Sequence, residues 1–391
     1  METEVLPVDK NLKMKELIKH PAITRAARLL KRGEVVAFPT ETVYGLGGDA
    51  LNPVAVKKIF AAKGRPADNP LIVHLGRTSD LKRVIAGSLD NASQELINCF
   101  WPGPLTIIFQ RSSEVPDITT SGLKTVAVRM PSHPVTRAII RRSDLVLAAP
   151  SANSSGLPSP TQAEHVLLDL EGKIPLIIDA GESPIGLEST VIDLTGEKPA
   201  ILRPGRITCR ELEKVLGCKV IRNFKKYEDN SGNERVRQKS GVSETDIIEN
   251  EGRPRSPGMK YRHYAPKTTT TLLDKGTPED IINYLRELDC SWALLVTQET
   301  AESLRKLQQQ ERYEAALSVS EKKFLIKDMG PRTNIKLIAR RLFSLLRELD
   351  QQYFDEIFVE AVPAVGVGEA VMNRLVKAAS RRIDLSRREL G

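Results

Sequence analysis

Three short stretches hold most of the residues that could do chemistry. The first is Phe38-Pro-Thr-Glu-Thr-Val-Tyr-Gly-Leu-Gly47. Thr40, Thr42 and Tyr44 offer hydroxyls and Glu41 a carboxylate, while Gly45, Gly47 and Gly48 permit close backbone approach or a positive φ. Placed after an apolar run, this set suits a small polar ligand at the carboxyl edge of a sheet; a tight turn is the plain alternative. The second is Lys63-Gly-Arg-Pro66. Arg forks onto two oxygens and Lys adds a point charge, which is the chemistry of a phosphate clamp. Cations also simply close helix C-termini. The third is Pro150-Ser-Ala-Asn-Ser-Ser-Gly156, where Ser151 and Asn153 supply donors and acceptors and Ser154, Ser155 and Ser159 add hydroxyls. A serine-rich loop after a strand can also be only a turn.

Single residues near strand ends add to these. His74 closes the apolar run Leu71-Ile-Val and is either a core histidine or a ligand contact. Arg129 closes Thr125-Val-Ala-Val; if buried it requires a counter-charge, which a ligand carboxylate could supply. Ser189, in Gly186-Leu-Glu-Ser-Thr190, offers a hydroxyl, and Arg203, in Leu202-Arg-Pro-Gly-Arg206, is either an anion contact or a solvated surface residue. No Gly-x-x-x-x-Gly-Lys-Ser/Thr occurs, which argues against a P-loop. Gly366-Val-Gly-Glu-Ala-Val371 is half of a dinucleotide fingerprint without its third glycine and reads as a turn before a helix. No His-x-x-x-His or paired-Cys spacing points to zinc.

The elements that must position these residues alternate. Pro21–Lys31 reads as a helix ended by Gly33, and Val35–Phe38 as a buried strand. Asn52-Pro53 starts a second helix as N-cap and first-turn proline, with Val54, Ile59, Phe60 and Ala61 for its apolar face. Strands follow at Leu71–Leu75, Leu105–Phe109, Thr125–Arg129, Leu145–Ala149, Leu176–Ile178, Val191–Leu194 and Ala200–Leu202. Several lie close together, which favours an α+β, mixed twisted sheet over a doubly wound one. Residues 223–255 are polar and charged with few apolar side chains and read as a flexible linker. It runs into Ser256-Pro-Gly-Met-Lys-Tyr-Arg-His-Tyr-Ala-Pro266. Tyr261, Arg262, His263 and Tyr264 make this segment either a lid over a ligand site or a strap between domains. From residue 268 onward, regular βα alternation predicts a smaller Rossmann-like domain. The expected division is a catalytic domain over 20–222, a linker over 223–267 ending in the lid-like segment, and a second domain over 268–391.

A length of 391 residues fits two domains, and the composition, 40% apolar and 28% charged, is ordinary for a soluble protein. No apolar run approaches the roughly 20 residues of a membrane helix. The acidic N-terminus, Met1-Glu-Thr-Glu-Val5, lacks a signal-peptide core, and scattered Cys99, Cys209, Cys218 and Cys290 suit reduced thiols, so a cytoplasmic location is expected. A net charge of +8 is compatible with an anionic substrate and with weak tRNA or RNA binding.

Taken together, Pro39–Leu46, Lys63-Gly-Arg-Pro66, Asn69-Pro70 and Ala149-Pro-Ser-Ala-Asn153 resemble the motifs of the YrdC-like family of threonylcarbamoyl-AMP synthases, over residues 22–216. Residues 256 to the C-terminus resemble the two-domain members. The resemblance implies synthesis of threonylcarbamoyl-AMP and pyrophosphate from ATP, L-threonine and bicarbonate. The product feeds threonylcarbamoyladenosine modification of tRNA next to the anticodon, completed by a separate transfer machinery. It implies Lys63, Arg65, Ser151 and Asn153 as catalytic residues. For ATP it implies these four together with Asn69, Thr125, Ser159, Arg203 and Tyr264. For threonine it implies Thr42, His74, Arg129, Ala149 and Ser189. Mg²⁺ is expected to arrive with ATP, with no protein-ligated metal. Two rival readings are a non-catalytic RNA-binding module, which the low aromatic content of 5% disfavours, and a hydrogenase-maturation-type carbamoyltransferase, whose zinc-finger cysteine pairs are missing.

Overall fold

The structure, a computed structural model, describes residues 2–224, 263–309 and 323–387. Two sheets organise it. The first contains β1 (Glu4–Pro7), β2 (Val36–Phe38), β3 (Gly45–Asp49), β4 (Ile72–His74), β5 (Leu105–Gln110), β6 (Thr125–Arg129), β7 (Leu147–Ala148), β8 (Leu176–Asp179), β9 (Thr190–Asp193), β10 (Ala200–Arg203) and β11 (Ile221–Arg222). Their order is β1-β8-β2-β3-β7-β4-β6-β5-β9-β10-β11, with parallel and antiparallel pairs mixed. This is the mixed twisted sheet expected. The second sheet contains β12 (Thr269–Asp274), β13 (Trp292–Val296), β14 (Phe324–Asp328), β15 (Glu356–Glu360) and β16 (Arg381–Asp384). It is wholly parallel, in the order β14-β13-β15-β12-β16. That is the Rossmann-like pattern, helices making the crossovers. The expected 223–255 linker, apart from its first two positions, and residues 256–262 of the expected lid-like segment, including Tyr261 and Arg262, lie outside the described residues.

Local signals place the helix ahead of the phosphate-clamp motif. Asn52 caps helix Pro53–Lys63 by accepting from the Val54 N–H, and Gly64 ends it at φ 60°. Its buried face is Ala55, Val56, Ile59, Phe60, Ala62 and Lys63, whereas Val54 and Ala61 are exposed. The expected face is therefore rotated, and it carries Lys63 inward as the helix's last residue rather than leaving it in the loop.

The glycines after Tyr44 do not form a turn. Gly45–Asp49 is a strand antiparallel to β2, and no positive φ occurs at Gly45, Gly47 or Gly48. Gly47 is required by close packing, because a Cβ there would lie 2.4 Å from a Phe38 ring carbon. Phe38 is fully buried between this strand and the helices Met14–Lys19 and Pro21–Lys31. Such burial contributes about 1.5–3 kcal/mol. It also pins the Pro39–Tyr44 loop between two neighbouring strands.

The two halves share a core. Val43 and Leu187 of the first half pack with Phe343, Leu342 and Ala339 of the second. Gly186, at φ 77°, lets the chain pass directly against the backbone of Arg340, where a Cβ would approach to 2.4 Å. No helix among the described residues is long and apolar enough to cross a membrane.

Candidate active site

Three strands end at one sheet edge and each contributes its last residue to the same pocket. β4, β6 and β10 run the same way, so His74, Arg129 and Arg203 converge there. His74 and Arg129 are directly paired in register. The Pro39–Tyr44 loop closes one side and the loop after β7 another, with Ser151 bridging to Gly45. All the expected site residues except Asn69 and Thr125 line this pocket. Asn69 is buried behind Arg65, its carbonyl accepting from the guanidinium and its Oδ1 having no protein partner. Thr125 begins the strand that Arg129 ends, about 13 Å away at about 3.3 Å per residue.

The basic half is built around Lys63. Its Nζ donates to the Ser151 carbonyl, to the Asn153 carbonyl at 2.6 Å and to Asn153 Oδ1 at 3.3 Å. The Ser155 N–H returns a bond to the Lys63 carbonyl at 2.8 Å. The clamp and the serine loop are thus one unit. Burial, and then the charge of Arg65, hold the Lys63 ammonium well below its ordinary pKa; an incoming phosphate would oppose both effects. Arg65 is half-buried and donates to the carbonyls of Asn69 and Pro70.

The other half surrounds Arg129. This residue does not wait for a ligand carboxylate: its Nη2 lies 2.6 Å from Glu41 Oε1, and it donates to Thr42 Oγ1 at 2.9 Å and to the Gly103 carbonyl. Burial pushes the Glu41 carboxyl up, but Arg129 more than offsets this and holds it below its usual range. His74 Nδ1 lies 3.1 Å from the Ile72 carbonyl, so Nδ1 carries the hydrogen and Nε2 is left as acceptor. Ser189 Oγ bonds Thr106 Oγ1 at 2.7 Å and accepts from Arg203. Arg203 is buried at 5% exposure, so the solvated alternative does not hold.

Glu188 went unassigned at the level of sequence. It lines the pocket, accepts from Ser159 Oγ and pairs with Arg374 of the second half. Its position beside Ser189 in the Gly186–Thr190 stretch was the one available signal. Tyr264 also lines the pocket, at φ 68°, and its ring stacks on Phe343 with centroids 5.3 Å apart. The Ala265 N–H bonds the Gly156 carbonyl at 2.9 Å. Residues 263–266, the described part of the segment, therefore touch both the pocket and the second domain. The pocket is partly open to solvent and its cavity volume is only about 70 Å³, well below the roughly 300–1,000 Å³ of a ligand pocket. Among the described residues no group of His, Cys, Asp and Glu is arranged to hold a metal ion. A second cleft, at the carboxyl ends of β12 and β15, has its charged side chains paired as Arg332–Glu360, Lys275–Asp384 and Asp274–Arg382.

Burial pushes His74 down to about 3 and His133, His165 and His263 down to about 4. All four are neutral at neutral pH. The unfolded chain takes up protons near pH 6.5, the folded chain only near 3–4, so stability is lost as pH falls through that window, at about 1.4 kcal/mol per unit per group. The melting temperature is expected to drop steeply between about pH 6.5 and about pH 4.5; a flat profile there would contradict these burials.

The fold is thus an open mixed sheet with a cationic, hydroxyl-lined pocket at its edge, against which a second α/β domain packs. Residues 28–205 match the family described as "Telomere recombination", the Sua5, YciO and YrdC proteins, and residues 207–380 match "Threonylcarbamoyl-AMP synthase, C-terminal domain". The threonylcarbamoyl-AMP synthase of Bacillus subtilis is 42% identical, over 93% of this chain and 94% of that protein. The Pyrococcus abyssi protein of the same name is 40% identical, over 95% and 98%. The crystal structure of P. abyssi Sua5 complexed with L-threonine superposes with a TM-score of 0.77 at 37% identity, covering 97% of this chain and 99% of that one. The chain belongs to the two-domain threonylcarbamoyl-AMP synthase (Sua5) family.

Proposed function

We infer that this chain makes L-threonylcarbamoyl-AMP and pyrophosphate from ATP, L-threonine and bicarbonate, supplying threonylcarbamoyladenosine modification of tRNA next to the anticodon. The carrying observation is one pocket that joins a phosphate-type clamp, Lys63 with the Ser151–Asn153 loop, to a polar cluster of Thr42, His74, Arg129 and Ser189. In the reaction the threonine nitrogen bonds the bicarbonate carbon and water leaves, giving a carbamate. A carbamate oxygen then bonds the α-phosphorus of ATP and pyrophosphate departs. Both steps need alignment and charge neutralisation more than a covalent residue.

In this reading Lys63 and Arg65 meet the phosphates. Ser151, Asn153, Asn69, Ser159, Arg203, Thr125 and Tyr264 hold the nucleotide. The orphaned Oδ1 of Asn69 supports its place there. Thr42, His74, Arg129, Ala149 and Ser189 hold threonine, with His74 Nε2 able to accept from its hydroxyl. Glu188 is the one carboxylate lining the pocket among the described residues. Mg²⁺ would arrive with the triphosphate and neutralise phosphate charge. The domain division given above, a cytoplasmic location and a weak affinity for tRNA belong to the same proposal.

Mass spectrometry of the product from ATP, threonine and bicarbonate tests it directly. Threonine is expected to exceed serine, which loses one methyl worth roughly 1–3 kcal/mol, and valine is expected to be poor because it leaves hydroxyl partners unpaired. Equal ATP-dependent turnover with valine would refute this assignment of the pocket.

A further inference from the structure

A carboxylate inside an anion-binding pocket opposes its ligand unless its charge is balanced. Glu188 is in that position: it is 7% exposed, lines the pocket, and accepts from Ser159 Oγ. Its larger counter-charge comes from the other domain, with Arg203 of its own domain second. Arg374, on helix Val367–Ala378, is fully buried and its Nε lies 3.0 Å from Glu188 Oε2. The same guanidinium donates through Nη1 to the Pro204 carbonyl at 2.6 Å, one residue past Arg203. It also lies 5.6 Å over the ring of Tyr264. One side chain thus touches the pocket's acid, the loop that follows Arg203 and the aromatic that covers the pocket.

A second arginine does similar work on the serine loop. Arg347, on helix Ile335–Asp350, pairs with Asp169 at 2.8 Å and donates to the Pro158 carbonyl. Asp169 in turn accepts from the Ser154 N–H. Both contacts run from the second domain to walls of the first domain's pocket. They are buried rather than surface pairs, so removing one partner leaves an uncompensated charge.

We propose that Arg374 is a positioning residue for the nucleotide: from the second domain it neutralises Glu188 and so keeps Ser159 and Tyr264 set for an anionic ligand. The second domain is then part of the active site and not an appendage. This rests on the functional reading above, with the ATP half of the pocket on the Glu188 side.

The test uses the full-length chain and two readouts, ATP affinity by calorimetry and steady-state kinetics. Arg374→Met is expected to weaken ATP binding by at least about tenfold, with the KM for threonine changing much less. Adding Glu188→Gln to Arg374→Met is expected to recover most of the ATP affinity, because the uncompensated charge is gone. Arg374→Lys keeps the charge without the fork and is expected to fall between. Unchanged ATP affinity in folded Arg374→Met would overturn the proposal. So would an equal loss for ATP and threonine that Glu188→Gln does not rescue, since that is the signature of a structural role alone. A wild-type chain that binds ATP but makes no threonylcarbamoyl-AMP would count against the functional reading, while the affinity series would still decide the role of Arg374.

Discussion

Replacing Lys63 by alanine is expected to remove threonylcarbamoyl-AMP formation almost completely, by roughly two to three decades at about 1.4 kcal/mol per decade. Two losses combine. A charge-assisted contact to phosphate is worth roughly 1.5–3 kcal/mol, and each buried carbonyl left without a donor costs about 1–3 kcal/mol. Lys63 serves the Ser151 and Asn153 carbonyls before any ligand arrives. Its removal therefore frees the loop that carries two of the proposed nucleotide contacts. Arg65→Ala should behave differently. Arg65 is half-buried and donates to the Asn69 and Pro70 carbonyls rather than sitting fully buried like Lys63, so the fold should survive and turnover should fall by one to two decades at about 1.4 kcal/mol each. Circular dichroism, melting temperature and pyrophosphate release on both variants separate the two cases. Equal melting temperatures with equal, small losses of turnover would show that Lys63 does not organise the loop.

That difference was not visible in the sequence, where both cations sat in one short motif. Capping is a local signal, so the start and stop of helix Pro53–Lys63 were legible from Asn52, Pro53 and Gly64. Which face is buried depends on the sheet beneath, and Val54 accordingly proved 60% exposed. The strand Gly45–Asp49 was illegible for another reason: its glycines carry no periodicity, and they serve close packing, with the Phe38 ring against Gly45 and Gly47 and Ile59 and Ala55 against Gly48. In the second sheet the edge strand Arg381–Asp384 opens on two exposed arginines and does not read as a strand, whereas Phe324–Asp328 opens apolar but is only half-buried. In the site, the motifs gave the residues that cluster, but not their partners. Glu188 and Arg374 lie 186 positions apart, and nothing in a single sequence links them. Arg129 was recognised as needing a counter-charge, and its partner Glu41 stood in the opening motif without being matched to it.

That pair carries the other large expected effect. Arg129→Met should destabilise the chain by about 3–5 kcal/mol, because it strands the Glu41 carboxylate in a buried site. Both side chains are under a tenth exposed, so solvent screening is slight. The same change removes the donor to Thr42 Oγ1 and is expected to raise the KM for threonine well beyond that for ATP. The two consequences separate in a second variant. Glu41→Gln combined with Arg129→Met removes the stranded charge and should recover much of the melting temperature, while threonine binding stays impaired because the guanidinium is still missing. The pH dependence has a definite sign. The folded Glu41 carboxyl titrates below its ordinary value of 4.5, so its contribution is present above that pH and is lost as pH falls through the folded value. On top of the histidine-linked loss that both chains share, the wild type should therefore show an additional fall in stability below about pH 4.5 that the double variant lacks. If the double variant instead binds threonine as wild type does, Arg129 is a structural partner of Glu41 alone and the threonine pocket must be sought elsewhere along the Thr42–His74 wall.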